Sequence, residues 1–410
     1  MSSLKCLTLS AFSAVFFLVF SYWITNLRFP VSGEKTVLSR LEQLRNIVHP
    51  KPRVVPDSVL FVNVSYDKEF VAMRDEFGFP AGRTQITSRH KLLELLQYLK
   101  KEGTYKYVLL DVFFGEGFST EWDDSLFSTI VSMPRIVVPC HADEPLADER
   151  LKEKAGLSDY IITFNESDFV KYPYFSDKQK SIPIRMYEEI TGHRIDRKGI
   201  LSNDGPMLAR RSVVLTYELR ADAMYADNGE KMWYNLGMDL LSDSIAGVDG
   251  RGSNLLYESP ELSKDKYIVI GAFEGDDTHL TFSGGLSGAV INFNAFISLM
   301  NRHHIVSVTL LCVLFVVFFI LSYLTFSRRR MLDVINDMKG KTKNKTIQKG
   351  LHLLTFLNTW VGLSLFLTIL CVLTYLILGE AYDILATSTL FYVMQRCVMA
   401  YDRKLSRERN

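Results

Sequence analysis

Residues 107–138 read YVLLDVFFGEGFSTEWDDSLFSTIVSMPRIVV, and the order of apolar runs within them decides the fold. Residues 107–114 form a compact apolar run broken once by Asp111, the pattern of a strand buried on both faces. Residues 122–133 follow at helical spacing and open with Asp123 and Asp124, acidic side chains suited to the positive end of a helix. Pro134 stops that helix, and residues 135–138 return to strand. Strand, helix and strand joined by short links predict a parallel sheet with right-handed crossovers.

The flanking sequence extends the same unit. Residues 59–64 (VLFVNV) read as an earlier buried strand. A helix follows from about Ser88, with Thr87 or Ser88 as its cap and Leu92, Leu93, Leu95, Leu96 and Leu99 facing inward. Further on, residues 160–164 and 212–217 read as strands and residues 183–191 as a helix begun by proline. Residues 267–272 (YIVIGA) are another buried strand, from which a glycine-bearing loop over 274–288 leads to an apolar helix ending at Met300. The fold class is therefore α/β, a mainly parallel sheet flanked by helices over residues 57–303.

The two ends of the chain are of another kind. Residues 6–25 form an apolar run long enough to cross a hydrocarbon core of roughly 30 Å. It lacks a small-x-small cleavage pattern, and Tyr22 and Trp23 suit the membrane interface, so residues 1–27 read as an uncleaved anchor. Residues 34–48 then read as a short amphipathic helix stopped by Pro50, Pro52 and Pro56, within a juxtamembrane stretch 28–56. It packs against the domain or, alternatively, forms a contact in a homodimer.

Three more membrane segments are expected over 304–401. Residues 305–326 are uncharged and followed at once by Arg328, Arg329 and Arg330. The loop 327–350 adds five lysines against Asp333 and Asp337, a basic loop of the cytoplasmic side. Residues 351–378 are again apolar, and Gly379-Glu380-Ala381 forms a short acidic turn suited to the outer face. The last segment, 382–400, carries Asp383 and Arg396. It reads as a span, rather than a helix lying on the membrane, because the tail 402–410 is basic and belongs inside. Together these give four transmembrane α-helices, one N-terminal and three C-terminal, in a multi-pass inner-membrane protein whose large domain is extracytoplasmic.

Composition narrows the classes. The chain has 410 residues, is 48% hydrophobic and carries a formal net charge of +1, which gives no reason to expect a nucleic-acid partner. Of five cysteines only Cys140 falls in the middle domain, so a disulfide-stapled module is excluded. The partners implied are the lipid bilayer and either a cytoplasmic effector or an envelope protein.

Chemistry-bearing residues gather in two places. Asp111 stands where a strand ends, with Glu116, Asp123 and Asp124 behind it, and ligands of open α/β sheets collect at the carboxyl ends of strands. These carboxylates either bind a cation or move a proton, or they cap backbone groups and helix starts. Asp276, Asp277, Thr278 and Thr281, then Gly284-Gly285-Leu286-Ser287-Gly288, precede a helix whose first N–H groups can hold an anion. There is no P-loop, no zinc spacing among the eight histidines and no nucleophile elbow. His303 and His304 read as interface residues. No catalytic residue, metal site or cofactor is assigned.

These motifs and the membrane layout together resemble CHASE2, an extracytoplasmic sensory domain of bacterial signalling proteins. The likeness is carried by Asp67 after the first strand, Phe77-Gly78-Phe79-Pro80 followed by Arg83 and Arg89, and Asp111 in its strand. It continues with the Asp123-Asp124 helix start, residues 266–271, Asp277, Thr278 and residues 288–294. Asn292 and Phe293 stand where the family often has histidine and alanine. The resemblance implies a ligand-binding set of Arg83, Arg89, Asp111, Asp123, Asp124, Asp277, Thr278 and Asn292. It also implies a sensor or signalling adaptor that passes an envelope cue through its helices to a separate cytoplasmic partner, since no kinase, cyclase or phosphatase module follows the last helix. Two other functions fit the same residues, a scaffold within an envelope complex and an extracytoplasmic hydrolase using Asp111.

Overall fold

The computed structural model describes residues 3–27, 34–48, 57–74, 79–159, 171–176, 179–199, 201–214, 219, 224–225, 229–241, 255–275, 277–281, 284–327 and 359–407. The expected strand over 160–164, residue Asp276 and the basic loop beyond Ser327 lie outside these residues.

Helices α1 (Ser3–Thr25) and α2 (Glu34–Val48) precede the domain. Its strands begin with β1 (Val59–Asn63), β2 (Lys68–Arg74) and β3 (Pro80–Thr87). Helix α3 (Arg89–Glu102), β4 (Tyr107–Leu110), α4 (Asp123–Ser132), β5 (Ile136–Cys140) and β6 (Ala155–Leu157) complete the first half. The second half opens with β7 (Lys171–Pro173), the two-residue strands β8 (Phe175–Ser176) and β9 (Gln179–Lys180), and α5 (Ile182–Thr191). Strands β10 (Ile195–Lys198), β11 (Leu201–Asp204), β12 (Met207–Ala209), β13 (Ser212–Val214) and β14 (Tyr234–Asn235) follow. The domain closes with α6 (Leu255–Glu258), β15 (Tyr267–Gly271), β16 (Thr278–Thr281), β17 (Gly284–Ser287) and α7 (Gly288–Met300). Helices α8 (Val308–Phe326), α9 (Trp360–Leu378) and α10 (Leu385–Arg407) end the described chain.

Six strands form one wholly parallel sheet in the order β14-β1-β15-β4-β5-β6. The expected strand–helix–strand unit is present as β4, α4 and β5. Alternation along each strand separates two cores. Phe61, Leu109, Val137 and Val269 face α5 and α7, while Val62, Val108, Val138 and Ile270 face α3 and α4. This period of two on strands buried on both sides makes a three-layer sandwich, which is why the strands read as unbroken apolar runs. The five inward leucines of α3 are all buried, and Gly103 closes that helix in the left-handed conformation.

The sequence reading differs from the structure in three local respects. Residues 68–87 form the antiparallel hairpin β2–β3. The glycine-bearing stretch before α7 is also a hairpin, β16–β17, rather than a loop. Strand β13 pairs with β7 outside the main sheet.

Among the described residues, three helices are long and apolar enough to cross a membrane: Leu4–Thr25, Val308–Phe326 and Trp360–Leu378. Helix α10 is not among them, being amphipathic and continuing through the basic tail to Arg407. It nonetheless packs on the other three. Phe391 meets Phe17 with ring centroids 4.7 Å apart, Gln395 reaches Thr325 at 3.4 Å, and the Ser364 and Ser388 hydroxyls are 3.1 Å apart. Helix α1 runs beside α8, with Ser322 donating to Ser13 at 3.0 Å.

Residues 379–384 between α9 and α10 are not an exposed turn. Glu380 and Asp383 are both buried. Asp383 caps α10 by accepting from Ala386 N at 2.7 Å, which accounts for an acid at that position without a snorkelling role. Glu380 pairs with buried Arg210 of the domain at 3.3 Å and accepts from Ser307 N, just ahead of α8, at 3.2 Å.

Candidate functional site

The carboxyl ends of β1, β15 and β4 open into a crevice of about 510 Å³, the place where open α/β sheets receive ligands. Asp111 enters it as the residue after β4, its backbone N–H still held by Ile270 O at 2.8 Å. Facing it is Asp277, brought in by the hairpin β16–β17. Both carboxylates lie over the first turn of α7, where Ser287 caps the helix by accepting from Val290 N. Gly288 makes this approach available: a Cβ there would lie 3.2 Å from each Asp277 oxygen and 3.4 Å from Asp111 Oδ2. The end of β15 is as tightly fitted, since a Cβ on Gly271 would stand 2.6 Å from the Ala289 Cβ.

Burial, with Asp277 beside it, pushes the Asp111 carboxyl up to about 7, against the opposing effects of an Asn292 hydrogen bond and nearby His279. Asn292 Nδ2 stands 3.4 Å from Asp111 Oδ1 and 3.1 Å from Ser158 Oγ, and its carbonyl accepts from Tyr172 OH at 2.5 Å. Asp277 pairs with His279 at 3.2 Å, and at the far rim His141 pairs with Asp159 at 2.7 Å. Lys68 and Arg89 supply positive charge on the side of α3.

The structure therefore brings together Arg89, Asp111, Asp277 and Asn292 from the expected set and leaves four residues outside the crevice. Arg83 is exposed on β3, opposite Ala72. Thr278 is exposed, its methyl turned toward Gly285 across the hairpin. Asp124 is on the surface with Arg150 at 2.8 Å. Asp123 accepts from Thr120 N at 3.0 Å and Thr120 Oγ1 at 2.9 Å at the start of α4, and stands 3.6 Å from Arg89 Nε. The cluster expected behind Asp111 is thus helix-start chemistry. Asp67 is structural too, accepting from Gly237 N and pairing with Lys91, both at 3.1 Å. No group of three or more His, Cys, Asp or Glu side chains arranged to hold a metal occurs among the described residues.

Sequence reasoning missed Lys68, Tyr172, Ser158, His141 and His279. The first lies on an unrecognised hairpin, His141 and Ser158 follow the ends of β5 and β6, and Tyr172 and His279 come from β7 and β16 outside the main sheet. His304 was misread as well: it is buried, with Nε2 3.0 Å from Asp204 Oδ2.

A three-layer α/β domain with a polar crevice at the strand ends, joined to helices able to cross a membrane, is the class of protein these features define. The chain matches no protein-family model, no curated protein and no solved structure.

Proposed function

We propose that the chain is a multi-pass membrane sensor or signalling adaptor of CHASE2 type, whose extracytoplasmic domain binds a cue in the Asp111–Asp277 crevice and passes the change through its helices to a separate cytoplasmic partner. One observation carries this reading. Helix α7 starts at the crevice and ends at Met300, and the seven-residue link from there to α8 is clamped rather than slack. Within it, His304 O accepts from Arg210 N at 2.7 Å and Val306 N donates to Leu208 O at 2.9 Å. A displacement of the α7 start on ligand binding reaches the membrane without a flexible joint to absorb it.

The outward orientation is supported by the arginines after α8, which belong on the cytoplasmic side. It makes α10 the fourth span, returning the tail inside. The test is hydrogen exchange on the full chain in nanodiscs, with and without a ligand found by thermal-shift screening. Slower exchange at the α7 start together with altered exchange over the link to α8 is expected. Protection confined to the crevice would refute transmission.

A second reading has its own support. A carboxyl held near neutrality beside another carboxylate can take or give a proton, as an extracytoplasmic hydrolase requires. Turnover of any ester or phosphoester panel member that disappears in Asp111→Asn would favour it over the sensor.

A further inference from the structure

The class of ligand can be narrowed from which groups in the crevice the protein leaves unmatched, an inference that rests on the binding reading of the same cavity. Asp277 has His279, His141 has Asp159, and Lys68 Nζ donates to Thr87 Oγ1 at 3.2 Å. Two charged groups are left without such a match among the described residues. Arg89 is only 2% exposed, yet among the described residues its Nε and Nη1 find no hydrogen-bond acceptor. Its guanidinium lies 4.4 Å over the Phe114 ring, and the carboxylate paired with it, Asp123 at 3.6 Å, is occupied by Thr120. The other is Asp111, negative once ionised, whose carboxyl takes, among the described residues, one long contact from Asn292 at 3.4 Å.

A buried guanidinium with free N–H groups and a half-buried carboxyl with spare acceptor capacity each carry a desolvation penalty. Both line one cavity. A plain anion would satisfy Arg89 and be repelled by Asp111 and Asp277; a plain cation would do the reverse. A molecule bearing both charges relieves both groups at once. We propose that the crevice binds a small zwitterion, its carboxylate or phosphate held by Arg89 and its protonated amine held by Asp111. The guanidinium, held over Phe114, offers the planar fork that recognises either oxyanion. A space of about 510 Å³ suits a ligand of amino-acid or phosphoamine size.

The test uses the full chain in detergent micelles and thermal shift followed by calorimetry. Glycine, γ-aminobutyrate and phosphoethanolamine are the zwitterionic probes; acetate, inorganic phosphate and methylammonium carry charge of a single sign. The two kinds of oxyanion distinguish a free amino acid from a phospholipid headgroup as the source. At least one zwitterion is expected to raise the melting temperature saturably while no single-charge probe does so at the same concentration. Asp111→Asn and Arg89→Gln should each weaken that binding by about tenfold or more. Asp111→Asn is nearly isosteric, so it carries the test alone if Arg89→Gln does not fold.

A single-charge probe that binds as tightly as the zwitterions, with its shift lost in Asp111→Asn, would overturn the zwitterion and leave the binding site standing. Zwitterion binding unchanged in Asp111→Asn would overturn it as well. Silence from all six probes would count against both.

Discussion

Asp111 ties the stability of the domain to pH in a direction opposite to that of most carboxylates. In the folded protein its carboxyl keeps a proton up to about pH 7, whereas the ordinary value is 3.8. Between those values the folded state binds more protons than the unfolded one, so stability is fully present below pH 4 and is lost as pH rises through 7. At about 1.4 kcal/mol for each tenfold change in proton concentration, the interval amounts to about 4 kcal/mol. Water reaching Asp111 through the crevice makes this an upper figure. Asp111→Asn keeps the shape and cannot ionise. The gap in stability between variant and wild type should therefore open in favour of the variant from pH 4.5 to pH 8, while pH effects from other groups cancel. Following intrinsic fluorescence on heating at several pH values would measure it, the change between pH 4.5 and pH 8 being about 3 kcal/mol, or roughly 6 °C or more for a domain of this size. A gap that stays constant across the range, or that favours wild type at pH 8, would refute the buried, charge-coupled account of Asp111.

Other perturbations probe separate parts of the argument. Gly271→Ala forces a methyl against Ala289 at the β15–α7 contact and should cost about 1–3 kcal/mol in thermal unfolding; a neutral result would show that α7 can move away freely. Glu380→Gln alone leaves Arg210 without its carboxylate and should cost about 3–5 kcal/mol, whereas the double change Arg210→Met with Glu380→Leu should recover much of it. Strictly additive losses in a double-mutant cycle would sink the idea of a coupled buried pair. Green fluorescent protein fused after Arg407 should fluoresce and alkaline phosphatase at the same place should be inactive; the reverse pattern would mean that α10 does not return to the cytoplasm.

How much of this was legible beforehand depended on locality. Runs such as 59–64 and 107–110 are buried on both faces, so hydrophobicity alone marked them, and α5 announced itself through Pro183. The hairpin β2–β3 gave no such signal. Phe70, Met73 and Phe79 are exposed, neither arm is buried on one face throughout, and alternation had nothing to report. The crevice was half legible. Asp111 stood out because a charge interrupted an apolar strand, but its partner turned out to be Asp277, distant in sequence, rather than the adjacent Asp123 and Asp124. Only the insertion of β15 between β1 and β4 brings the two together, and the order of strands in a parallel sheet is not written in any one of them. The last helix was the hardest case, because Asp383 caps it from outside and Arg396 stays exposed against Tyr392 of the same helix, so neither charge told how the helix packs.

The junction between domain and bundle limits the motions available to the protein. Lys171 donates to Thr25 O at the end of α1, Arg211 N donates to Asn26, Arg210 holds residues 380 and 381, and the link into α8 is bonded to residues 208 and 210. The domain is thus seated on the bundle like a stool on three legs, each leg a different helix. A body supported this way cannot swivel about one anchor. If it moves as one body it rocks, shortening one support as it lengthens another, and a signal leaving it would then be a redistribution of load among α1, α8 and the α9–α10 pair.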